Sequence, residues 1–196
     1  FEMQKNMGAV FGLNCGWEHP LWFADAPGTE ETVGFTRQNW FEPVGREAQM
    51  LRDSVGVIDI SNFANYIVKG PGAHAWLDQL VANRVPTVIG RSCLTPLISV
   101  RGGVAGDFTI TMLNDDEYMM IGSGLGERYH QRFFNMVDMP QGTTLEVATN
   151  RIVGFNIAGP KARDALQRLT NADLSNEAFR FMRSQRIQVA GMDCIA

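Results

Sequence analysis

Apolar and polar positions alternate along this chain with two different periods, and each period predicts a different kind of element. In residues 41–53 the apolar residues Val44, Ala48 and Leu51 recur at helical spacing, which predicts an amphipathic helix. Short apolar runs and a second helical pattern predict further elements: strands at residues 55–61, 66–68, 118–122 and 144–148, and a helix over about 126–136.

A hairpin is predicted in residues 94–111, where two β-rich runs flank Gly102 and Gly103. Adjacent glycines supply the positive φ that tight hairpin turns demand. Asp107 interrupts the second run, and aspartate has poor strand propensity. Two interpretations of Asp107 stay open: an acid that caps N–H groups near a turn, or a carboxylate placed for function.

One pattern occurs twice, in residues 67–80 and again in residues 156–169. Gly-Pro, Ala, Leu and Leu recur in both segments at one constant offset. Each copy predicts a strand, a glycine turn, a proline in the first helical turn and then an amphipathic helix. The repetition therefore predicts an α+β fold built from duplicated strand–helix units, with mostly antiparallel sheets.

The two ends of the chain give weaker signals. Residues 1–28 are rich in glycine and aromatic residues and hold no regular period, so we expect an extended arm that packs its aromatic side chains on another surface. A strand is predicted from about Gln185 to the last residue, Ala196. Because domains rarely stop inside an apolar run, we expect the sequence to continue beyond Ala196.

Composition narrows the class of function. The chain is 45% hydrophobic and 19% charged with a net charge of −4, which is typical of a globular protein and gives no basic stripe for nucleic acid. No apolar run approaches the roughly 18 residues that a membrane span needs. We predict no metal site, because the cysteines and histidines form no metal-binding or disulfide pattern. These residues are Cys15, Cys93, Cys194, His19, His74 and His130.

Residues 122–126, Gly-Ser-Gly-Leu-Gly, follow a predicted strand and precede a predicted helix. A dinucleotide fingerprint would need a third glycine where Glu127 stands, and no βαβ unit follows. Two interpretations remain open: small residues that let a ligand approach backbone N–H groups, or the ordinary start of a helix. Asp59, a second acid in an apolar strand, is predicted to point outward.

Several segments together resemble a known family. Residues 39–41, 55–61, 69–73, 101–107 and 172–176 resemble, in order, the folate-binding aminomethyltransferases, which have the fold of the glycine-cleavage T-protein. The likeness is strongest to the folate-binding half of dimethylglycine and sarcosine dehydrogenases. The resemblance implies an arm at 1–34 that follows an upstream flavin-type domain, and an incomplete folate-binding domain at 35–196.

The resemblance also implies a site. Asp107 matches the family's acid beside the reactive nitrogens of folate, and four residues fall near positions that contact the pterin: Phe63, Leu94, Gly124 and Leu125. Gly106 stands where many relatives have a second acid, and Leu94 stands where T-proteins have tyrosine. The family's Gly-Glu-Leu-Gly-like segment, whose glutamate also contacts the pterin, is expected beyond Ala196.

The implied function is tetrahydrofolate-dependent one-carbon transfer, coupled to oxidative demethylation of an N-methyl amine such as dimethylglycine or sarcosine. Loss of hydride from such an amine leaves an iminium cation, which a folate nitrogen can attack. A fixed carboxylate in a dry pocket, here Asp107, would stabilise the cation and accept the released proton.

The implied partners are a small methylated amine and a flavin dehydrogenase domain or subunit. FAD is expected only if an upstream domain or partner chain is present, because no flavin-phosphate fingerprint occurs here. Neither nucleic acid nor membrane is expected as a partner, and the expected location is the bacterial cytoplasm or the mitochondrial matrix. Two alternatives stay open: a non-catalytic folate-binding or scaffold module, and a tetrahydrofolate-dependent O- or S-demethylase.

Overall fold

The computed structural model describes residues 1–14 and 16–196; Cys15, one of the cysteines considered above, lies outside the described residues, as do the side chains of Asn14 and Trp17. The described chain divides into two units. The first contains Phe1–Gly56 and Ile157–Ala162, and the second contains Val57–Asn156 and Arg163–Ala196.

The first unit begins with a short helix and a β-hairpin. Its elements are α1 (Glu2–Asn6), β1 (Ala9–Asn14), β2 (Trp17–Phe23) and α2 (Phe41–Asp53). The hairpin differs from the extended arm expected for residues 1–28. Its register shifts between Val10 and Phe11, and such a bulge interrupts the alternation that would have identified the strands. Val10 and Trp22 are buried together in a small core.

Helix α2 has the predicted bounds, but the predicted apolar face is mostly uncovered. Val44 packs against the small core of the hairpin, whereas Ala48 is exposed and Leu51 is 38% exposed. The reason is that the cluster reaches only the first turns of the helix.

Among the described residues, no helix is long and apolar enough to cross a membrane.

The second unit holds the remaining elements, apart from the ends of three that the division assigns to the first unit. They are β3 (Gly56–Asp59), β4 (Ala64–Lys69), α3 (Ala73–Leu80), β5 (Ser92–Ile98), β6 (Val104–Asn114), β7 (Glu117–Gly122), α4 (Glu127–Phe134), β8 (Thr144–Val147), β9 (Phe155–Ala158), α5 (Ala162–Gln167), β10 (Arg186–Val189) and β11 (Met192–Ile195). Single turns of 3-10 helix occur at Gly124–Gly126 and Thr149–Arg151.

A five-stranded antiparallel sheet, in the order β5-β6-β7-β4-β8, forms the centre of this unit. One face of the sheet is buried against α3 and α4. The largest side chains of this core are Trp76, Tyr66, Tyr118, Phe108 and Phe134, each no more than 2% exposed. The structure therefore confirms the predicted α+β class with antiparallel sheets.

The hairpin of β5 and β6 confirms the prediction for residues 94–111, but not its tight turn. Ile98 pairs with Val104, so five residues form the loop, and a register shift lies between Leu97 and Ile98. Of the two glycines, only Gly102 has a positive φ, at +80°. The backbone N–H of Ser99 donates to the carbonyl of Gly103 across the loop, at 2.9 Å.

The repeated strand–helix unit is also confirmed. β4 and α3 form the first copy, and β9 and α5 form the second. Gly70 and Gly159 occupy equivalent turns with φ of +126° and +112°, and each carbonyl accepts a hydrogen bond from the N–H three residues later, at 2.9 and 3.0 Å. The prolines of both copies lie in these turns, so the predicted placement of proline in the first helical turn is wrong.

The predicted strand from Gln185 is instead a hairpin, formed by β10 and β11. Ala190 and Gly191 make its turn with φ of +50° and +81°. An apolar run of this length conceals the turn because only one glycine marks it.

Candidate functional site

Asp107 lies within β6, on the face of the sheet that points away from the core. It pairs with Pro96 of β5, and its neighbour Phe108 is 2% exposed whereas Asp107 is exposed. Successive side chains of a strand point to opposite faces, so burial of Phe108 directs the carboxylate outward. The strand therefore presents Asp107 on a rigid element, flanked by β5 and β7.

Leu94 shares this outer face. It pairs with Thr109 of β6, which lies two residues after Asp107 and therefore on the same side of the strand. Leu94 is 65% exposed. The structure thus places an apolar side chain one strand away from the carboxylate.

The end of β7 brings the other predicted residues together. Phe108 of β6 and Ala64 of β4 both pair with Gly122, from opposite sides. The residues just before them, Asp107 and Phe63, therefore flank the chain where it leaves Gly122. Two strand spacings separate their backbones by about 10 Å.

Close backbone approaches explain the glycines of this junction. A Cβ on Gly122 would lie 2.6 Å from the ring of Phe108, and one on Gly124 would lie 1.7 Å from the carbonyl oxygen of Asn62. A side chain at either position is therefore excluded unless the backbone moves. The contact with Asn62 also places Gly124 and Leu125 beside Phe63.

The apolar predicted residues are accessible around Asp107. Phe63 is 40% exposed and Leu125 is 72% exposed. Large exposed hydrophobic side chains that share one region of a surface are characteristic of a binding site. Leu94 and Asp107 lie on neighbouring strands of the outer face, and Phe63, Gly124 and Leu125 lie where the chain leaves β7.

This region is open, which differs from the dry pocket that the chemistry requires. Two surface clefts of the described residues lie elsewhere, one lined by residues 167–172, Gln188 and Gly191, the other including Ile89, Arg180 and Arg183. Asp107 itself is exposed to solvent.

A polar network holds the Phe63 end of the site. The side-chain amide of Asn65 donates to the carbonyl of Phe63 at 2.9 Å, and its backbone N–H donates to the Thr149 hydroxyl at 3.1 Å. That hydroxyl donates in turn to the carboxylate of Glu127 in the first turn of α4. A carboxylate there is favourable because it faces the positive end of the helix dipole.

His130 lies beneath the site and was not predicted to belong to it. Its ring is 2% exposed, its Nδ1 shares a 3.1 Å hydrogen bond with the Tyr66 hydroxyl, and the Phe108 ring lies 4.7 Å from it between centroids. Burial lowers the pKa of His130, although the carboxylates of Asp107 and Glu127 act in the opposite direction. Burial also raises the pKa of Tyr66, and Glu127 adds to this.

The sequence alone does not mark His130 as a site residue, because it is isolated from other metal-binding or nucleophilic residues. The available signal was its spacing from Phe134, four residues later, which places both on the buried face of α4. Among the described residues, no group of three or more His, Cys, Asp or Glu side chains is arranged to hold a metal ion.

Asp59 offers a contrast to Asp107. It is exposed at the end of β3, as predicted, and its carboxylate accepts a 2.8 Å hydrogen bond from the Ser61 N–H. Hydrogen bonds from Ser61 lower the pKa of this carboxyl group. Asp59 therefore has a local structural role.

Comparison with known proteins identifies the family. A family model described as the GCVT N-terminal domain matches residues 1–196. The chain belongs to this aminomethyltransferase family. Its resemblance to the folate-binding aminomethyltransferases, stated above from the sequence, is therefore confirmed.

The curated relatives of this chain include both dehydrogenases and transferases. Mitochondrial dimethylglycine dehydrogenase of Mus musculus is 34% identical over 189 residues, covering 94% of this chain and 22% of that protein. An aminomethyltransferase of Caldanaerobacter subterraneus is 27% identical over 165 residues, covering 83% of this chain and 44% of the relative. The chain thus spans about a fifth of the dehydrogenase and less than half of the transferase.

Solved structures confirm the aminomethyltransferase fold. The glycine cleavage system aminomethyltransferase T from Bartonella henselae superposes with a TM-score of 0.72 at 21% identity, covering 95% of this chain and 46% of that one. The heterotetrameric sarcosine oxidase of Corynebacterium sp. U-96 superposes with a TM-score of 0.59 at 15% identity, over 78% of this chain and 76% of its matched chain.

Proposed function

We propose that this chain is the folate-binding part of an enzyme that transfers a one-carbon unit from an N-methyl amine to tetrahydrofolate. The observation that carries the proposal is the placement of Asp107, an exposed carboxylate on a rigid strand among accessible apolar side chains. We take the amine to be a small methylated amino acid of the dimethylglycine or sarcosine class, because a dimethylglycine dehydrogenase is among the relatives.

The residues of the site fit a reduced pteridine. A flat heteroaromatic ring stacks on aromatic and aliphatic side chains, and Phe63, Leu94 and Leu125 supply such surfaces. The backbone of the junction is fixed beside these surfaces, because Gly122 packs on the Phe108 ring and Gly124 on the Asn62 carbonyl. Phe63, Leu94, Leu125 and this junction, with Asp107, would hold and orient the ring.

When bound, tetrahydrofolate supplies nucleophilic nitrogens that accept a one-carbon unit. Asp107 would contribute the charge: its carboxylate stabilises a nearby cation and can hold the proton that the reaction releases. Removing one such electrostatic contact from an enzyme costs about 2.7–4 kcal/mol of barrier. The carboxyl group must be ionised at working pH to act in this way.

Exposure of Asp107 to water weakens that stabilisation, so the face must be covered during the reaction. We propose that the ligand and further parts of the protein cover it, since the matched dehydrogenases are much longer than this chain. A flavin dehydrogenase domain or subunit, carrying FAD, would generate the iminium, and residues 1–34 would link it to the folate-binding domain at 35–196. The location would be the mitochondrial matrix or the bacterial cytoplasm.

A second function is favoured by one observation. Asp107 is preceded by Gly106, where the resemblance implies a second acid, and the single carboxylate is open to solvent. A module that binds folate without catalysing transfer would tolerate this arrangement. Separate measurements of tetrahydrofolate binding and of one-carbon transfer distinguish the two functions.

The test replaces Asp107 by asparagine in the full-length protein, with Asp59→Asn as the matched control. We expect Asp107→Asn to lower the rate of methylene-tetrahydrofolate formation about 10²–10³-fold. Formaldehyde should be released in its place, while tetrahydrofolate affinity and amine oxidation persist. Asp59→Asn should behave as the wild type.

Three results decide between the proposals. Unchanged transfer in Asp107→Asn contradicts the catalytic role. Folate binding by the wild type without any transfer supports the non-catalytic module. Absence of tetrahydrofolate binding, measured by calorimetry, contradicts both functions.

A further inference from the structure

His130 touches the backbone at two places that both belong to the site. A Cβ built on Gly106 would lie 2.9 Å from its Nε2, and one built on Gly126 would lie 2.5 Å from the same atom. Gly106 directly precedes Asp107, and Gly126 directly follows Leu125. One imidazole ring therefore fills the space between the two segments that present these side chains.

Glycine is the residue that these contacts permit. Distances below 3.0 Å are essentially never made by real Cβ atoms, and Gly126 would meet three ring atoms of His130 at 2.5–3.2 Å. Neither Gly106 nor Gly126 has a positive φ. The two glycines are thus required by the ring beside them and not by the shape of the backbone.

The ring is itself held from behind. Its Nδ1 is hydrogen-bonded to the Tyr66 hydroxyl on β4, and its edge packs on Phe108, the residue after Asp107, with 66° between the ring planes. Side chains in cores are close-packed and transmit displacement to their neighbours. A change in this ring is therefore expected to move the strand on either side of Asp107.

We propose that His130 is a positioning residue, wedged between Gly106 and Gly126, which fixes the distance between Asp107 and Leu125. The inference rests on the proposed function, because that function gives Asp107 and Leu125 their roles. The ring acts through its volume and its bond to Tyr66, and it does not touch the ligand.

The test uses a pair of complementary substitutions in the full-length protein. His130→Asn keeps a side-chain atom that can bond to Tyr66 but removes Nε2 and Cε1, two of the three atoms that crowd Gly126. Gly126→Ala adds a methyl group to the space so vacated. Each single variant should misplace the site, by overpacking or by a cavity, and the double variant should recover most of the loss.

Two measurements are made on each variant. Methylene-tetrahydrofolate formation should show a loss in kcat of up to about a hundredfold, as for misplaced catalytic groups, with a much smaller change in KM for tetrahydrofolate. Amide hydrogen exchange at Gly106, Asp107 and Leu125, measured without folate, should be faster in both single variants and slower again in the double variant.

His74→Asn is the matched control, because His74 also lies beside a tyrosine, with its ring centroid 6.2 Å from that of Tyr118. It should change neither kcat nor exchange at Asp107. The positioning role of His130 is contradicted if His130→Asn leaves both measurements unchanged, or if adding Gly126→Ala to His130→Asn deepens the loss of kcat. A different outcome is a wild-type protein that performs no transfer, while the double variant still restores slow amide exchange. That outcome supports the positioning role and refutes the proposed function.

Discussion

Gly124 provides the sharpest test of how the site is built, because a single methyl group there has no room. Its Cβ would lie 1.7 Å from the Asn62 carbonyl oxygen and 2.9 Å from the carbonyl carbon. An ordinary contact begins at 3.4 Å, so Gly124→Ala must about double the first distance. The movement separates the Gly124–Leu125 segment from Phe63.

The cost can be estimated from this displacement. Overpacking of a well-packed region costs about 1–3 kcal/mol, and about 2 kcal/mol lowers Tm by about 4–8 °C in a chain of this size. A displacement of more than 1 Å in a substrate-positioning segment can also cost up to about 100-fold in rate. We therefore expect Gly124→Ala to lower both Tm and the rate of folate-dependent transfer.

The assay compares Gly124→Ala with Gly103→Ala by thermal unfolding and by the rate of methylene-tetrahydrofolate formation. Gly103 lies in the same unit without a positive φ, and its Cβ would meet only the Ser99 hydroxyl at 3.4 Å. Gly103→Ala should therefore resemble the wild type. Close packing at Gly124 does not control the site if Gly124→Ala has the Tm and the transfer rate of the control.

Two further predictions concern stability. Burial lowers the pKa of His130 from 6.5, so below about pH 6.5 the unfolded chain binds a proton that the folded chain does not. The free energy of unfolding should therefore fall as pH drops through this range. His130→Asn should flatten that part of the plot of unfolding free energy against pH. A profile as steep in His130→Asn as in the wild type would contradict this. Gly70→Ala should lower the free energy of unfolding in urea by about 1–3 kcal/mol. The reason is that φ of Gly70 is +126° and its Cβ would lie 2.2 Å from the Gly142 carbonyl oxygen. An unchanged urea midpoint would show that the turn can relax.

Elements with a local cause were predictable from the sequence. Helix α2 follows from the spacing of Val44 and Leu51, and the two strand–glycine–helix units follow from their repeated residues. The β1–β2 hairpin was missed because the shift between Val10 and Phe11 breaks its alternation. The turn at Ala190 was missed because a non-glycine residue adopts a positive φ there.

The candidate site divides in the same way. Asp107 was visible because an acid is unusual within a strand pattern, and the resemblance supplied Phe63, Leu94 and Leu125. His130 was invisible, because its importance comes from Gly106 and residues 122–126 being brought to it by folding. The open surroundings of Asp107 were also beyond prediction, since covering a sheet face depends on packing between distant segments.

The order of strands in the large sheet has a consequence for how the strand that carries Asp107 folds. β5, β6 and β7 are consecutive in the chain, joined by the five-residue loop and by a turn at Asp115 and Asp116. Short closures cost little chain entropy, and isolated hairpins form in about 1–10 μs. β4 arrives from a more distant part of the chain. The middle strand of this meander can therefore gain both neighbours early in folding, before the slower long-range closure completes the sheet.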